Sequence, residues 1–80
     1  MEITSLSLER MLREIRTSVL FDEKWYKRTY GLRKRDAALH YLLEGWRLGL
    51  DPSPFFSTRG YLERNLDVAE SDVNPLVHWC

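Results

Sequence analysis

Apolar side chains recur at helical spacing near the start of the chain. Leu8, Met11, Leu12, Ile15 and Val19 mark one stripe, with Arg10, Arg13 and Arg16 on the remaining arc. That pattern predicts a helix over residues 6–20, with Ser7 as its cap and Glu9 well placed in its first turn. A second start follows at once. Asp22 suits an N-cap, and Phe21 before it can pack on Tyr26 at the fourth helical position as a hydrophobic staple. Gly31 suits the left-handed position that ends such a helix after about two turns. Asp36 then caps a third helix, from Ala37 to Glu44, closed by Gly45. Beyond it, Trp46, Leu48 and Leu50 alternate with Arg47 and Gly49. Asp51-Pro52-Ser53-Pro54 is a connector, because each proline removes a donor and restricts its predecessor.

After the connector the pattern repeats. Residues 55–61 match residues 20–26 at an offset of 35, with Phe56 for Phe21, Ser57 for the capping Asp22 and Tyr61 for Tyr26. Asn74-Pro75-Leu76-Val77-His78-Trp79 then matches Asp36-Ala37-Ala38-Leu39-His40-Tyr41 at an offset of 38. Asn74 becomes an N-cap, and Pro75 stands at the first helical position, where its missing N–H costs nothing. The larger offset reflects a longer link inside the second copy. Cap, staple and histidine–aromatic pair returning in order indicate a tandem helical repeat. The expected architecture is all-α: a small helical bundle or short two-unit repeat of about five helices. Its parts are an N-terminal amphipathic helix at residues 1–20, a first unit at 21–53 and a second, truncated unit at 54–80. The second copy stops at Cys80, where the first runs on through Leu42, Leu43 and Trp46, so an apolar edge is expected there, with self-association through it or through the apolar face of helix 6–20.

Certain motifs resemble a known repeat. Phe21-Asp22 with Trp25-Tyr26, then His40-Tyr41, Gly45-Trp46, Gly49 and Pro52-Ser53-Pro54 carry it in the first unit. Phe56, Tyr61, Asp67-Val68-Ala69, Asn74-Pro75-Leu76 and His78-Trp79 carry it in the second. Together they resemble a helical repeat found in tandem beside the catalytic domains of bacterial cell-surface polysaccharide glycosyltransferases of the rhamnan-synthesis type. The chain departs from that pattern in three places. Tyr30 to Arg35 replace an Asn-Pro-Asp-Val-Ala-like link, Gly60 takes the tryptophan slot, and Leu66 stands where proline is common. The resemblance implies a non-catalytic interaction or positioning module, partnered by a protein or by an adjoining glycosyltransferase domain.

Composition narrows the chemistry. Hydrophobic residues make up 44% of the 80 and charged residues 30%, a globular balance. A chain this short buries only roughly 60–65% of its unfolded surface, so its aromatic residues must supply much of the core. The single cysteine, Cys80, offers neither a disulfide nor a second thiol for a metal. Apolar runs are too short for a membrane-spanning helix, and Met1-Glu2-Ile3-Thr4 does not begin like a signal peptide, so a cytoplasmic protein is expected. No nucleophile motif, phosphate loop or dinucleotide fingerprint occurs, and no enzyme activity or cofactor is expected.

The net charge is zero, yet residues 1–35 carry +4 and residues 36–80 carry −4. Lys24, Lys27, Arg28, Arg33, Lys34 and Arg35 form an acid-free run that, with Tyr30, could meet an anionic partner by charge and stacking. Polyanion or nucleic-acid binding through 24–35 is the alternative function, and a solvated helix face is the simpler account of that run. His40 and His78 lack further ligands nearby in sequence, so each is expected to pack beside an aromatic and hydrogen-bond a loop. The resemblance implies a sugar-stacking role for Trp25, Tyr26, Tyr30, Tyr41, Trp46, Tyr61 and Trp79, but Tyr26 and Tyr61, as staples, are expected in the core. The apolar stripe Leu8, Met11, Leu12, Ile15 and Val19, with Trp46 and Trp79, is the candidate partner face.

Overall fold

The computed structural model describes residues 5–79. Six α-helices occur among them: α1 (Ser5–Thr17), α2 (Glu23–Tyr30), α3 (Ala37–Leu43), α4 (Thr58–Arg64), α5 (Leu66–Ser71) and α6 (Pro75–Trp79). A 3₁₀ turn, Gly45–Leu48, continues α3, and no strand is present among the described residues beyond one isolated bridge between Ser53 and Phe56. The expected all-α class holds. Met1 to Thr4 of the expected N-terminal segment, and the roles considered for Cys80, lie outside the described residues.

Local chemistry sets the helix starts. Asp22 Oδ1 accepts from the Trp25 N–H at 3.0 Å, Asp36 Oδ1 from Leu39 at 3.2 Å, and Ser57 Oγ from Gly60 at 3.0 Å. Asn74 Oδ1 takes two N–H groups, those of Leu76 at 2.9 Å and Val77 at 3.1 Å. Each satisfies a donor that the first helical turn leaves without an intrahelical acceptor. The staples form as well, with ring centroids 5.9 Å apart for Phe21–Tyr26 and 5.5 Å for Phe56–Tyr61. Gly31 ends α2 at φ +71°, and the Leu32 N–H reaches back to the Lys27 carbonyl at 2.9 Å.

Four features differ from the sequence-based expectation. Helix α1 already includes Ser5, so Ser7 lies inside it and is not its cap. It also stops at Thr17, where Thr17 Oγ1 donates to the Arg13 carbonyl and Ser18 Oγ accepts from the Leu20 N–H, a hydroxyl turn that competes with further helix. Val19 therefore leaves the helical register and is 89% exposed. The link of the second unit folds into α5, held by buried Val68 and favoured by Asp67 in its first turn. Asp72 ends that helix at φ +59°, a left-handed conformation that aspartate tolerates better than most residues. Finally, the segment after α3 does not alternate. Its 3₁₀ turn buries Trp46 and exposes Leu48.

Helix α1 packs on α3 and α6, α2 on α3, and α4 on α5 and α6. Ile15, Tyr26, Ala37, Tyr41, Trp46, Phe56 and Leu76 form the shared core. Ala37 and Ala38 are buried on α3, and their small side chains let neighbouring elements approach closely. Gly45 serves the same end. A Cβ there would collide with the Tyr26 hydroxyl.

Candidate interaction surface

Most of the polar side chains that could do chemistry are engaged by the scaffold. Tyr26 Oη lies 2.7 Å from His40 Nδ1, and Tyr61 Oη lies 2.7 Å from His78 Nδ1. Burial, with Tyr30 and Glu44 nearby, pushes the Tyr26 phenol well above its ordinary range despite the opposing charge of Arg35. Its hydroxyl therefore keeps its proton. His40 Nε2 faces the Glu44 carboxylate, an acceptor, with Oε2 at 3.5 Å; a ring proton on Nε2 leaves Nδ1 to accept from the Tyr26 hydroxyl. The expected loop partner of each histidine is in fact the staple tyrosine of its own unit.

A second network ties the units together. Thr58 Oγ1 donates to the Leu50 carbonyl at 2.6 Å, so Tyr41 Oη, 2.9 Å away, is the donor in their contact. Burial raises the Tyr41 phenol too, and outweighs the hydrogen bond to Thr58 that would lower it. The Thr58 N–H reaches Asp51 Oδ1 at 2.9 Å, the Asp51 N–H donates to Tyr30 Oη at 2.9 Å, and the Asp22 N–H donates to the Pro52 carbonyl at 3.0 Å. The proline connector is thus held by Asp22 and Tyr30 of the first unit and by Thr58 at the start of α4.

Two surface ion pairs reinforce the links. Arg16 pairs with Asp36, and Arg47 grips Asp72 with both of its terminal nitrogens. At Asp36 burial works to raise the carboxyl, but the Leu39 N–H and Arg16 together hold it below its usual value. Arg47 lowers Asp72 in the same direction, chiefly through their hydrogen bond, and is itself raised by it.

The basic run is divided by the fold. Lys24, Arg28, Arg33 and Lys34 are exposed with no acidic partner among the described residues. Lys27 pairs with Glu23 at 3.4 Å, and Arg35 with Glu44 at 3.3 Å. Tyr30 is not available to stack on a partner. Its hydroxyl holds the connector, and its ring packs against Trp25 and Tyr26 at centroid distances of 5.9 and 4.9 Å.

The expected partner face is likewise split. Ile15 and Trp46 belong to the core, and Leu8, Met11 and Leu12 pack half-buried against it. Val19 and Trp79, the latter 52% exposed, are the two that face outward. Of the tryptophans considered for display, Trp46 is buried under the Arg47 guanidinium, 4.8 Å from its ring centroid.

The structure also exposes a surface that the sequence pattern did not single out. Phe55, 83% exposed, borders an open groove of about 660 Å³ between the residue 20 region and α4, with Phe56, Tyr61, Arg64 and Trp79 along it. The adjacent phenylalanines Phe55-Phe56 were the available signal, since only one can serve as the staple. A smaller cavity of about 210 Å³ lies between Met11, Leu42, Trp46 and Asn74. Among the described residues no three His, Cys, Asp or Glu side chains converge as a metal site would require, and no helix is long and apolar enough to cross a membrane. No family model, curated protein or solved structure matches the chain.

Proposed function

We propose that this chain is a non-catalytic helical interaction module that positions a neighbouring domain or subunit. The observation that carries this is the repeated tyrosine–histidine contact: both histidines, the side chains most suited to acid–base chemistry near neutral pH, spend Nδ1 on holding helices together. Exposed aromatic and basic surfaces are what the fold leaves over for a partner. The resemblance of Phe21-Asp22, Trp25-Tyr26, Pro52-Ser53-Pro54 and Asn74-Pro75-Leu76 to the glycosyltransferase-associated repeat supports a cytoplasmic place in bacterial polysaccharide assembly. Calorimetric titration of the chain with the catalytic domain of such a transferase tests the proposal. Saturable binding is expected, with no turnover by the chain itself. No binding, or turnover of a nucleotide sugar by the chain alone, would overturn it.

A second reading has one observation in its favour. Lys24, Arg28, Arg33 and Lys34 have no acidic partners among the described residues, and such a patch attracts polyanions. Binding to a single-stranded oligonucleotide that weakens steeply with salt would support it. No binding at low salt would end it.

A further inference from the structure

Asn74 is only 6% exposed and caps α6, its Oδ1 accepting the Leu76 and Val77 N–H groups. Those two donors fix which way the amide points, because only its oxygen can accept. The other limb, Nδ2, is buried and has no acceptor among the described residues. Such a donor is costly to leave unmade, so an acceptor brought to it is rewarded.

Asn74 also lines the cavity of about 210 Å³ whose apolar walls are Met11, Leu42, Leu43, Trp46 and Val73. The charged groups at that cavity, Arg47 and Asp72, are already matched to each other. It therefore calls for neither an anion nor a cation. A cavity of about 150 Å³ already takes benzene, whereas cofactor and drug sites run to roughly 300–1,000 Å³. One apolar side chain fits. None of the walls comes from the last turn of α6.

We infer that this cavity receives one apolar side chain of a partner protein, leucine or similar in size, whose main-chain carbonyl accepts from Asn74 Nδ2. The inference rests on the chain being an interaction module and names what that module grips. Nδ2 lies behind the cavity wall with essentially none of its surface open, so a wall side chain turns aside as the carbonyl arrives. Leu43 and Val73 suit that movement, being the most exposed of the apolar walls. They also present apolar surface to the partner's flanking residues.

N-acetyl-leucine methylamide, one such side chain between two carbonyls, titrated into the ¹⁵N-labelled chain tests this. The chain has two side-chain amides, Asn65 and Asn74, and no glutamine. The Asn74 amide signals should move and saturate, while those of Asn65, already bonded to the Tyr61 carbonyl, should stay. Asn74→Ser keeps a capping oxygen, as Ser57 does, but removes Nδ2. It should weaken binding about fivefold, the worth of one hydrogen bond. Leu43→Ala, at a side chain 44% exposed, should weaken it as well while the chain stays folded. N-acetyl-glycine methylamide, which lacks the side chain, should leave the Asn74 signals in place. Unmoved Asn74 signals with the leucine compound, equal shifts at Asn65, an equal response to the glycine compound, or binding indifferent to both substitutions would overturn the inference. So would tighter binding of cyclohexanone, which would assign the cavity to a free small molecule. If the leucine compound fails while the transferase domain still binds, the cavity site is refuted and the module is not.

Discussion

The Tyr26 hydroxyl stands 2.7 Å from His40 Nδ1, and the equivalent residues Tyr61 and His78 stand the same distance apart. Each contact clasps the first helix of a unit to its last. The two clasps differ in setting, since Tyr26 is fully buried and His40 nearly so, whereas His78 is exposed and Tyr61 half-buried. One device thus serves as core in the first unit and as surface in the second.

The caps can be separated from the rest of the fold. Asp22→Ala and Ser57→Ala should each cost about 0.5–2 kcal/mol, the usual loss on removing an N-cap side chain. Ser57→Asp should be tolerated, because the first unit uses aspartate at that position. Thermal melts of the three variants decide it, and unchanged midpoints for both alanine variants would refute the equivalence of the two starts.

Gly45 should resist even the smallest substitution. An alanine Cβ would push into the Tyr26 hydroxyl and disturb its bond to His40, an overpacking expected to cost about 1–3 kcal/mol. Gly31, in contrast, has open space around it but a φ of +71°, so Gly31→Asn should be milder than Gly31→Val. Urea unfolding of the three variants would show whether contact or backbone conformation governs each site.

Much of this was legible in the sequence because caps and staples are local. Asp22 with Trp25, or Asn74 with Leu76 and Val77, need only a few residues to be recognised. The equivalence of His40 and His78 was legible too, from their shared place before an aromatic residue. Their tyrosine partners were not, because a contact between separate helices is set by packing that periodicity does not encode. Val19 shows the opposite failure, in which good spacing is cancelled by a hydroxyl turn at Thr17 and Ser18. Helix α5 escaped notice because its six residues form less than two turns and present a single buried aliphatic, Val68. The groove beside α4 depends on Gly60, Asn65 and Trp79 meeting in space, which no spacing rule anticipates.

Acid should loosen the links between helices. Asp36 and Asp72 both have folded pKa values below their unfolded ones, so their stabilisation is complete above the unfolded value near 4 and is lost as pH falls through the lower folded value. Asp36→Asn keeps a good cap but removes the charge that Arg16 faces. Melting temperature followed from pH 6 to pH 2 should therefore start lower in that variant at pH 6 and fall less steeply, the two chains converging in acid. An unaltered acid limb would place the loss elsewhere.

The surface basic residues should matter little to folding. Replacing Arg33 and Lys34 by glutamine should change stability by under about 0.5 kcal/mol, as for exposed charges without partners. Arg35→Gln adds only the loss of a surface pair with Glu44, worth about 0–1 kcal/mol. A triple variant that fails to fold would show that these side chains carry structure.

The central claim is that one tyrosine–histidine clasp is built twice, first as core and then as surface. Denaturant unfolding of Tyr26→Phe and Tyr61→Phe, measured side by side, tests it most directly. Removing the Tyr26 hydroxyl strands His40 Nδ1 in the interior and should cost about 1–3 kcal/mol, whereas water can replace the Tyr61 hydroxyl at His78 for under about 1 kcal/mol. A clear loss for Tyr26→Phe with a smaller one for Tyr61→Phe is the predicted result. No loss for Tyr26→Phe, or a larger loss for Tyr61→Phe, would contradict it.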